Sequence, residues 1–300
     1  MSATTVFEPR IVLVTGTSSG FGRLTVEALA RRGHQVFAGL RDVAGRNARA
    51  AAELTALATA EGLGLHVVEI DVTDETSVEQ AVSTVLQTAG RIDVVVNNAG
   101  MNFAGPLEAY TAQEAHRQFD VNTLGALRVN NAVIPSMREQ GHGALIQIGS
   151  LSSWLTPPFN GLYAASKAAQ RSLTEAWQHE LAPYGIESVV VDAAAYPTNI
   201  GPNTSLPQDQ ARMSLYGERL TSFIGDLTRR TTENAGNIGP ADQVSDAVVA
   251  LVETPPGKRP VQTLVAPTVQ YEAIRDLNPQ ALRAARIVAD DMGIGGYLAG

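Results

Sequence analysis

Apolar residues in this chain fall into short uninterrupted runs separated by longer stretches of helical spacing. The runs lie at Ile11–Thr15 (IVLVT), Gln35–Leu40, Leu65–Ile70, Ile92–Asn97 (IDVVVN), Ala144–Ile148, Glu187–Val191 and Val261–Val265. Rich in β-branched residues and bounded by turn formers, they predict strands. Helical patterns fill the intervals at Gly20–Arg32 (closed by Gly33), Gly45–Glu61, Asp74–Ala89, Ala112–Gln140, Tyr163–Leu181 and Ala241–Glu253, with Thr73 or Asp74 as N-cap of the third. Strands apolar on both faces and separated by helices indicate a parallel sheet covered on both sides. Right-handed crossovers then make it doubly wound. The expected fold class is α/β, a doubly wound parallel sheet of Rossmann type, in a single domain over residues 1–267. Two stretches escape the pattern. A polar insert at about 199–239 follows the sixth strand, where ligands bind in such sheets, and is expected to act as a lid. Residues 268–300 read as a helical extension of the same domain, with a helix at Ala281–Ala289.

Composition narrows the function classes. A chain of 300 residues with 44% hydrophobic and 17% charged residues suits a soluble globular domain with a large core. A formal charge of −8 offers no footprint for nucleic acid or an anionic membrane. The absence of cysteine excludes disulfides and thiolate metal sites. His34, His66, His116, His142 and His179 have no metal-ligand spacing, so no metal is expected. The start, MSATTVFEPR, lacks an apolar signal segment, and no apolar run approaches the roughly 18 residues of a spanning helix. A cytoplasmic protein is expected.

Three local patterns carry candidate chemistry. The first strand runs directly into Thr15-Gly16-Thr17-Ser18-Ser19-Gly20-Phe21-Gly22. There Gly16 can make a tight turn, Gly20 admits a pyrophosphate to the backbone, and Gly22 allows close helix–strand packing. The next helix offers free N–H groups and its positive end to phosphates. Past the second strand, an acidic residue would bind the two ribose hydroxyls of NAD, whereas an arginine accommodates a 2′-phosphate. Here the strand ends Gly39-Leu40-Arg41-Asp42, and the Arg41 fork favours NADPH unless it is spent on Asp42. Finally, only two lysines occur in the chain, and one of them, Lys167, lies four positions after Tyr163. On a helix both project from one face, and an ammonium there favours the phenolate, moving the tyrosine from about 10 towards neutrality.

Taken together with Asp71-Val72 after the third strand, Asn97-Asn98-Ala99-Gly100 after the fourth, Asn122 in the long helix and Gly149-Ser150 ending the fifth, the chain resembles the classical short-chain dehydrogenase/reductase family over about residues 10–200. The resemblance implies a catalytic tetrad of Asn122, Ser150, Tyr163 and Lys167. Tyr163 would be general acid in carbonyl reduction or base in alcohol oxidation, and Ser150 would hydrogen-bond the substrate oxygen. Lys167 would lower the Tyr163 pKa and hold the nicotinamide ribose, and Asn122 would bind a water linking Lys167 to solvent. Ser152 and Ser153 compete for the serine role. The family's thirteen-residue step to the tyrosine selects Ser150, with Ser152 facing substrate. Implied cofactor contacts are Gly16, Ser18, Ser19, Gly20, Phe21, Gly22, Arg41, Asp71, Val72, Asn98, Ala99, Gly100, Tyr163, Lys167 and Thr198. One departure stands out: Ala193-Ala194 replace the usual Pro-Gly before Thr198, removing easy access to positive φ.

On the substrate side, Met101–Phe103, Leu151–Phe159 and Tyr196 offer apolar and aromatic walls with few charges, as for a hydrophobic ketone, aldehyde or alcohol. The leading expectation is an NADP(H)-dependent carbonyl reductase. The alternatives are an NAD-linked alcohol dehydrogenase and a non-catalytic NADP-binding sensor on the same fold. The resemblance further implies a homodimer or homotetramer.

Overall fold

In the computed structural model, which describes residues 8–196, 198, 203–233 and 240–299, seven parallel strands form one sheet in the order β3-β2-β1-β4-β5-β6-β7. The strands are β1 (Ile11–Thr15), β2 (Gln35–Leu40), β3 (Leu65–Glu69), β4 (Val94–Asn97), β5 (Gly143–Ile148), β6 (Ile186–Ala193) and β7 (Gln262–Val265). The central strands β1, β4 and β5 are buried along their whole length because both faces are covered. One core, around Val14, Val26, Leu29, Leu54 and Val248, lies under α1 (Gly20–Arg31) and α2 (Ala48–Glu61). The other, around Leu13, Val82, Val133, Leu145 and Trp177, lies under α3 (Glu75–Ala89) and helices later in the chain. Val12, Leu13 and Val14 are each fully buried yet divide between the two cores, as period-two alternation requires.

The long helix expected over 112–140 is interrupted. Residues Ala112–Phe119 form α4, Asp120–Leu124 a π turn, and Gly125–Gln140 α5. Beyond it, α6 covers Gly161–Leu181, and the insert carries α7 (Gln210–Ser214) and α8 (Gly217–Glu233). Helix α9 (Asp242–Glu253) packs on α1, and the extension holds two helices, α10 (Thr268–Ile274) and α11 (Leu277–Asp291), where one was expected. Residues 199–202 and 234–239 of the expected insert lie outside the described residues. The described part of the insert returns over the carboxyl ends of the strands. Ser205 bridges Phe103, its N–H donates to the Asn102 carbonyl at 2.9 Å, and its carbonyl accepts the Ala104 N–H at 3.1 Å. The buried carboxylate of Glu114, which completes a capping box with Thr111, also accepts the Gln208 N–H at 3.0 Å.

Of the two N-cap candidates for α3, Asp74 takes the role. Its carboxylate accepts the N–H groups of Thr76 at 2.9 Å and Ser77 at 3.3 Å, while the Thr73 hydroxyl turns to Asp71 at 2.7 Å. Asp74→Ala is expected to lower unfolding free energy by about 1 kcal/mol, measured by urea denaturation.

Candidate active site

The sheet changes its winding direction between β1 and β4, so the loops leaving these strands part and open a crevice. The glycine-rich turn is built into that point by several contacts. The Thr15 hydroxyl accepts the N–H groups of Asn98 at 3.1 Å and Ala99 at 3.0 Å. The Asn98 amide donates to the carbonyls of Thr15 at 2.8 Å and Gly16 at 2.9 Å. Asn98 is therefore a brace for the turn, its donors spent on backbone, rather than a side-chain ligand. Gly16 adopts φ +69°, and a Cβ there would stand 2.7 Å from Ala99 Cα. At Gly22 a Cβ would stand 2.4 Å from both the Asn98 amide nitrogen and the Gly16 carbonyl oxygen. Ser19 precedes α1 without capping it through its side chain, so the first N–H groups of that helix face the crevice unclaimed by a cap. This cradle fits a dinucleotide pyrophosphate. Thr198 lies beside the same turn, its Cβ 3.5 Å from where a Cβ on Gly20 would be.

At the edge of the crevice, Asp42 takes a left-handed conformation (φ +49°) and turns its carboxylate to the Arg46 N–H at 2.8 Å. Arg41 is exposed and forms no ion pair among the described residues, so Asp42 does not consume it. Asp71 accepts both the N–H and the hydroxyl of Thr73, and the Val72 carbonyl accepts from Arg128 at 3.1 Å, stiffening the corner after β3.

Deeper in, the π turn brings Asn122 beneath the loop after β4. Its Oδ1 accepts the Met101 N–H at 2.9 Å, and its Nδ2 donates to the Met101 carbonyl at 3.0 Å and to Ser166 Oγ at 3.1 Å. The side chain of Asn122 is thus committed to protein partners. Asn122 positions the loop and ties it to α6. Ser166, unremarked in the sequence, is its partner on that helix.

Ser150 and Tyr163 come together. The Ser150 hydroxyl lies beside the Tyr163 phenol and accepts the Ser152 N–H at 3.1 Å. Ser153 is excluded from the catalytic role because its buried hydroxyl contacts the Ser150 carbonyl and lies 3.2 Å from Asp192. Lys167 is buried, donating to the Ile148 carbonyl at 2.7 Å and to Gln170 at 3.0 Å, with its nitrogen 6.0 Å from the Tyr163 ring centre. The expected pull on the phenol towards neutrality is not found. Burial pushes the Tyr163 pKa up, the Ser150 hydrogen bond opposes this, and the nearby Asp192 charge adds to it. Burial also lowers Lys167 to about 8, partly offset by Asp192. Desolvation penalises each charged form and outweighs the mutual attraction expected from their spacing.

Tyr196 corrects another expectation. Its ring is buried and meets Phe21 edge-on at 5.9 Å, and its hydroxyl donates to Gln243 at 2.9 Å. It joins the loop after β6 to α1 and α9 instead of offering a hydroxyl to substrate. The preceding Ala193-Ala194 pair needs no positive φ: β6 continues to Ala193, and the Ala194 N–H donates to the Val265 carbonyl of the neighbouring strand at 2.9 Å. Aromatic contacts come from the loops after β4 and β5 and from the insert. Phe159 meets Tyr216 at 5.6 Å and Phe223 at 5.2 Å, and Phe103 stacks on Tyr110 at 5.7 Å. No cluster of three or more His, Cys, Asp or Glu among the described residues could hold a metal.

A glycine cradle at the switch point of a parallel sheet, with a serine and a tyrosine joined at the end of β5, defines a dinucleotide-dependent oxidoreductase fold and site. The chain belongs to the short-chain dehydrogenase family, whose model matches residues 10–209. It is 31% identical over 264 residues to a 3-ketodihydrosphingosine reductase of Bacteroides thetaiotaomicron, covering 88% of this chain and 90% of that one. It is 30% identical over 273 residues to retinol dehydrogenase 8 of Bos taurus, covering 89% and 86%. An alcohol dehydrogenase from Thermococcus sibiricus complexed with 5-hydroxy-NADP superposes with a TM-score of 0.68 at 27% identity, covering 87% of this chain and 97% of that one. A 3-ketoacyl-(acyl-carrier-protein) reductase from Brucella melitensis complexed with NADH gives 0.68 at 26% identity, covering 86% and 97%. Solved relatives therefore include complexes with both phosphorylated and unphosphorylated dinucleotides.

With Lys167 lowered to about 8, raising the pH through that value removes its positive charge. The kcat/KM for the dinucleotide, which reports the free protein, is expected to be level below about pH 8 and to fall above it. A profile for Lys167→Arg, which keeps its charge, is expected to lack that limb.

Proposed function

We propose that this protein is an NADPH-dependent reductase of apolar ketones or aldehydes, forming the alcohol. The observation that carries this reading is the Ser150 hydroxyl beside the Tyr163 phenol, whose pKa burial raises. A group that keeps its proton until a charge develops beside it suits a general acid. In this reading the carbonyl oxygen sits between the two hydroxyls. Ser150 donates to it as negative charge grows, and Tyr163 passes its proton to the same oxygen. Bound NADPH supplies the hydride that reaches the carbonyl carbon. Lys167, held to Ile148 and Gln170, brings a buried positive charge to the ribose side and stabilises the phenolate left behind.

Arg41, standing clear of Asp42 at the end of β2, supports a 2′-phosphate and hence NADP(H). The cofactor contacts we assign run from the turn at Gly16–Gly22 through Arg41 and Asp71–Val72 to Ala99, Gly100 and Thr198. The aromatic wall of Phe159, Tyr216 and Phe223, with few charges, supports an apolar substrate, and the insert carrying α7 and α8 is assigned as its lid. The relatives named for 3-ketodihydrosphingosine and for retinol support that reading. We further infer a homodimer or homotetramer, which light scattering tests, acting in the cytoplasm. No helix among the described residues is long and apolar enough to cross a membrane.

Tyr163→Phe is expected to lower kcat for ketone reduction by roughly 10²–10⁴-fold with dinucleotide binding retained, followed by nicotinamide absorbance and fluorescence titration. Full turnover in this variant would defeat the mechanism. Arg41→Ala is expected to cost about tenfold or more in kcat/KM with NADPH, the loss of one charge-assisted contact, and little with NADH. An equal loss with both, or a wild-type preference for NADH, favours the NAD-linked alcohol dehydrogenase.

A further inference from the structure

Beneath the Ser150 turn, at the carboxyl end of β6, lies a carboxylate that the steps above do not use. Asp192 is fully buried. Its Oδ1 accepts the main-chain N–H of Ser150 at 3.1 Å and lies 3.2 Å from the Ser153 hydroxyl. Its Oδ2 accepts the indole N–H of Trp154 at 2.9 Å and the side-chain amide of Gln262 at 2.6 Å. Three of these four partners stand on one turn, Ser150–Trp154, and the fourth on β7. A single side chain therefore ties the turn to the strands under it. There is no slack: a Cβ on Gly149 would stand 2.2 Å from Asp192 Oδ1. The chemistry of the donor set is also demanding. A main-chain N–H reaches one oxygen and an indole N–H the other, and neither group can act as an acceptor. An ionised carboxylate satisfies both; an asparagine, with one oxygen, must turn its own N–H groups towards a donor.

Resting on the reading of Ser150 and Tyr163 above, we propose that Asp192 is a positioning residue for the reaction, clamping the Ser150–Trp154 turn so that the Ser150 hydroxyl faces the Tyr163 hydroxyl. Its charge acts on the same pair. The charged and titratable groups around it are Tyr163 and Lys167 from α6 and, beyond the indole, Arg171, whose guanidinium lies 4.1 Å from the Trp154 ring and pairs with Glu175. From β7 it meets the neutral Gln262. The Asp192 charge raises the pKa of both Tyr163 and Lys167, so removing it must lower both.

Asp192→Asn is the near-isosteric test, run beside Tyr163→Phe on the full chain with NADPH and an apolar ketone. The expected result is an unchanged far-ultraviolet circular dichroism spectrum, kcat reduced by about 10²-fold, and an unchanged KM for NADPH. The alkaline limb of the kcat/KM profile moves to lower pH, because Lys167 gives up its proton sooner once the Asp192 charge is gone. Acrylamide quenching of tryptophan fluorescence increases as Trp154 loosens, against a constant contribution from Trp177 in the core. Wild-type kcat with an unmoved limb overturns the role. If Asp192→Asn does not fold, Trp154→Phe combined with Gln262→Met removes both Oδ2 donors while Asp192 stays. That variant is expected to lose kcat with the same unchanged KM, and full kcat in it overturns the role. Turnover lost in Tyr163→Phe but retained in Asp192→Asn removes the clamp alone, whereas turnover retained in Tyr163→Phe removes the reaction on which it rests.

Discussion

Two chain segments leave the sheet at its switch point, and they touch where Gly16 has no room for a side chain. Gly16, after β1, lies against the backbone of Ala99, after β4, and Thr15 and Asn98 lace the two loops together by four hydrogen bonds. If the loops stood further apart, the pyrophosphate cradle would open and the N-terminus of α1 would lose its aim. If they carried bulk, the strands could not pair. The geometry of the crevice follows from this contact, because the loops after β4, β5 and β6 are all set relative to it. Backbone donors held in this way need no reorganisation when an anion arrives.

Farther along the crevice, dehydration governs the chemistry. Tyr163, Lys167 and Asp192 share a site where each charged form is penalised by burial, and protein hydrogen bonds compensate each group differently. Lys167 keeps two acceptors, Asp192 receives donors on both oxygens, and the phenol has Ser150. The protein alone thus holds a protonated phenol beside a buried cation.

Much of this architecture was legible in the chain itself. Seven apolar runs marked the seven strands to within a few residues, because a strand buried on both faces admits few polar residues. The glycine spacing marked the cradle, since each glycine answers a local demand for positive φ or close approach. Tyr163 and Lys167 lie one turn apart on α6, as four-residue spacing on a helix requires. The failures have a common cause. Helical periodicity ran unbroken from 112 to 140, and nothing local distinguishes a π turn at Asp120–Leu124 from continuous helix. Tyr196 read as a substrate contact because aromatic residues line pockets, yet its ring found a better burial site on Phe21.

Sequence alone determined the order of the elements, the parallel sheet, the position of the glycine-rich turn and the placing of Tyr163 and Lys167 one turn apart on a single helix. These depend on periodicity, on backbone permissiveness and on one helical turn, all properties of neighbours in the chain. Only the tertiary structure decided that Asn122 braces Met101, that Asn98 braces the glycine turn, and that Asp192 grips Ser150 and Trp154 from about 40 residues away. It also decided that burial, rather than the neighbouring ammonium, sets the proton affinity of Tyr163. A side chain's hydrogen-bond partners and its dielectric surroundings are contributed by segments distant in sequence, so they exist only once the strands have brought those segments together.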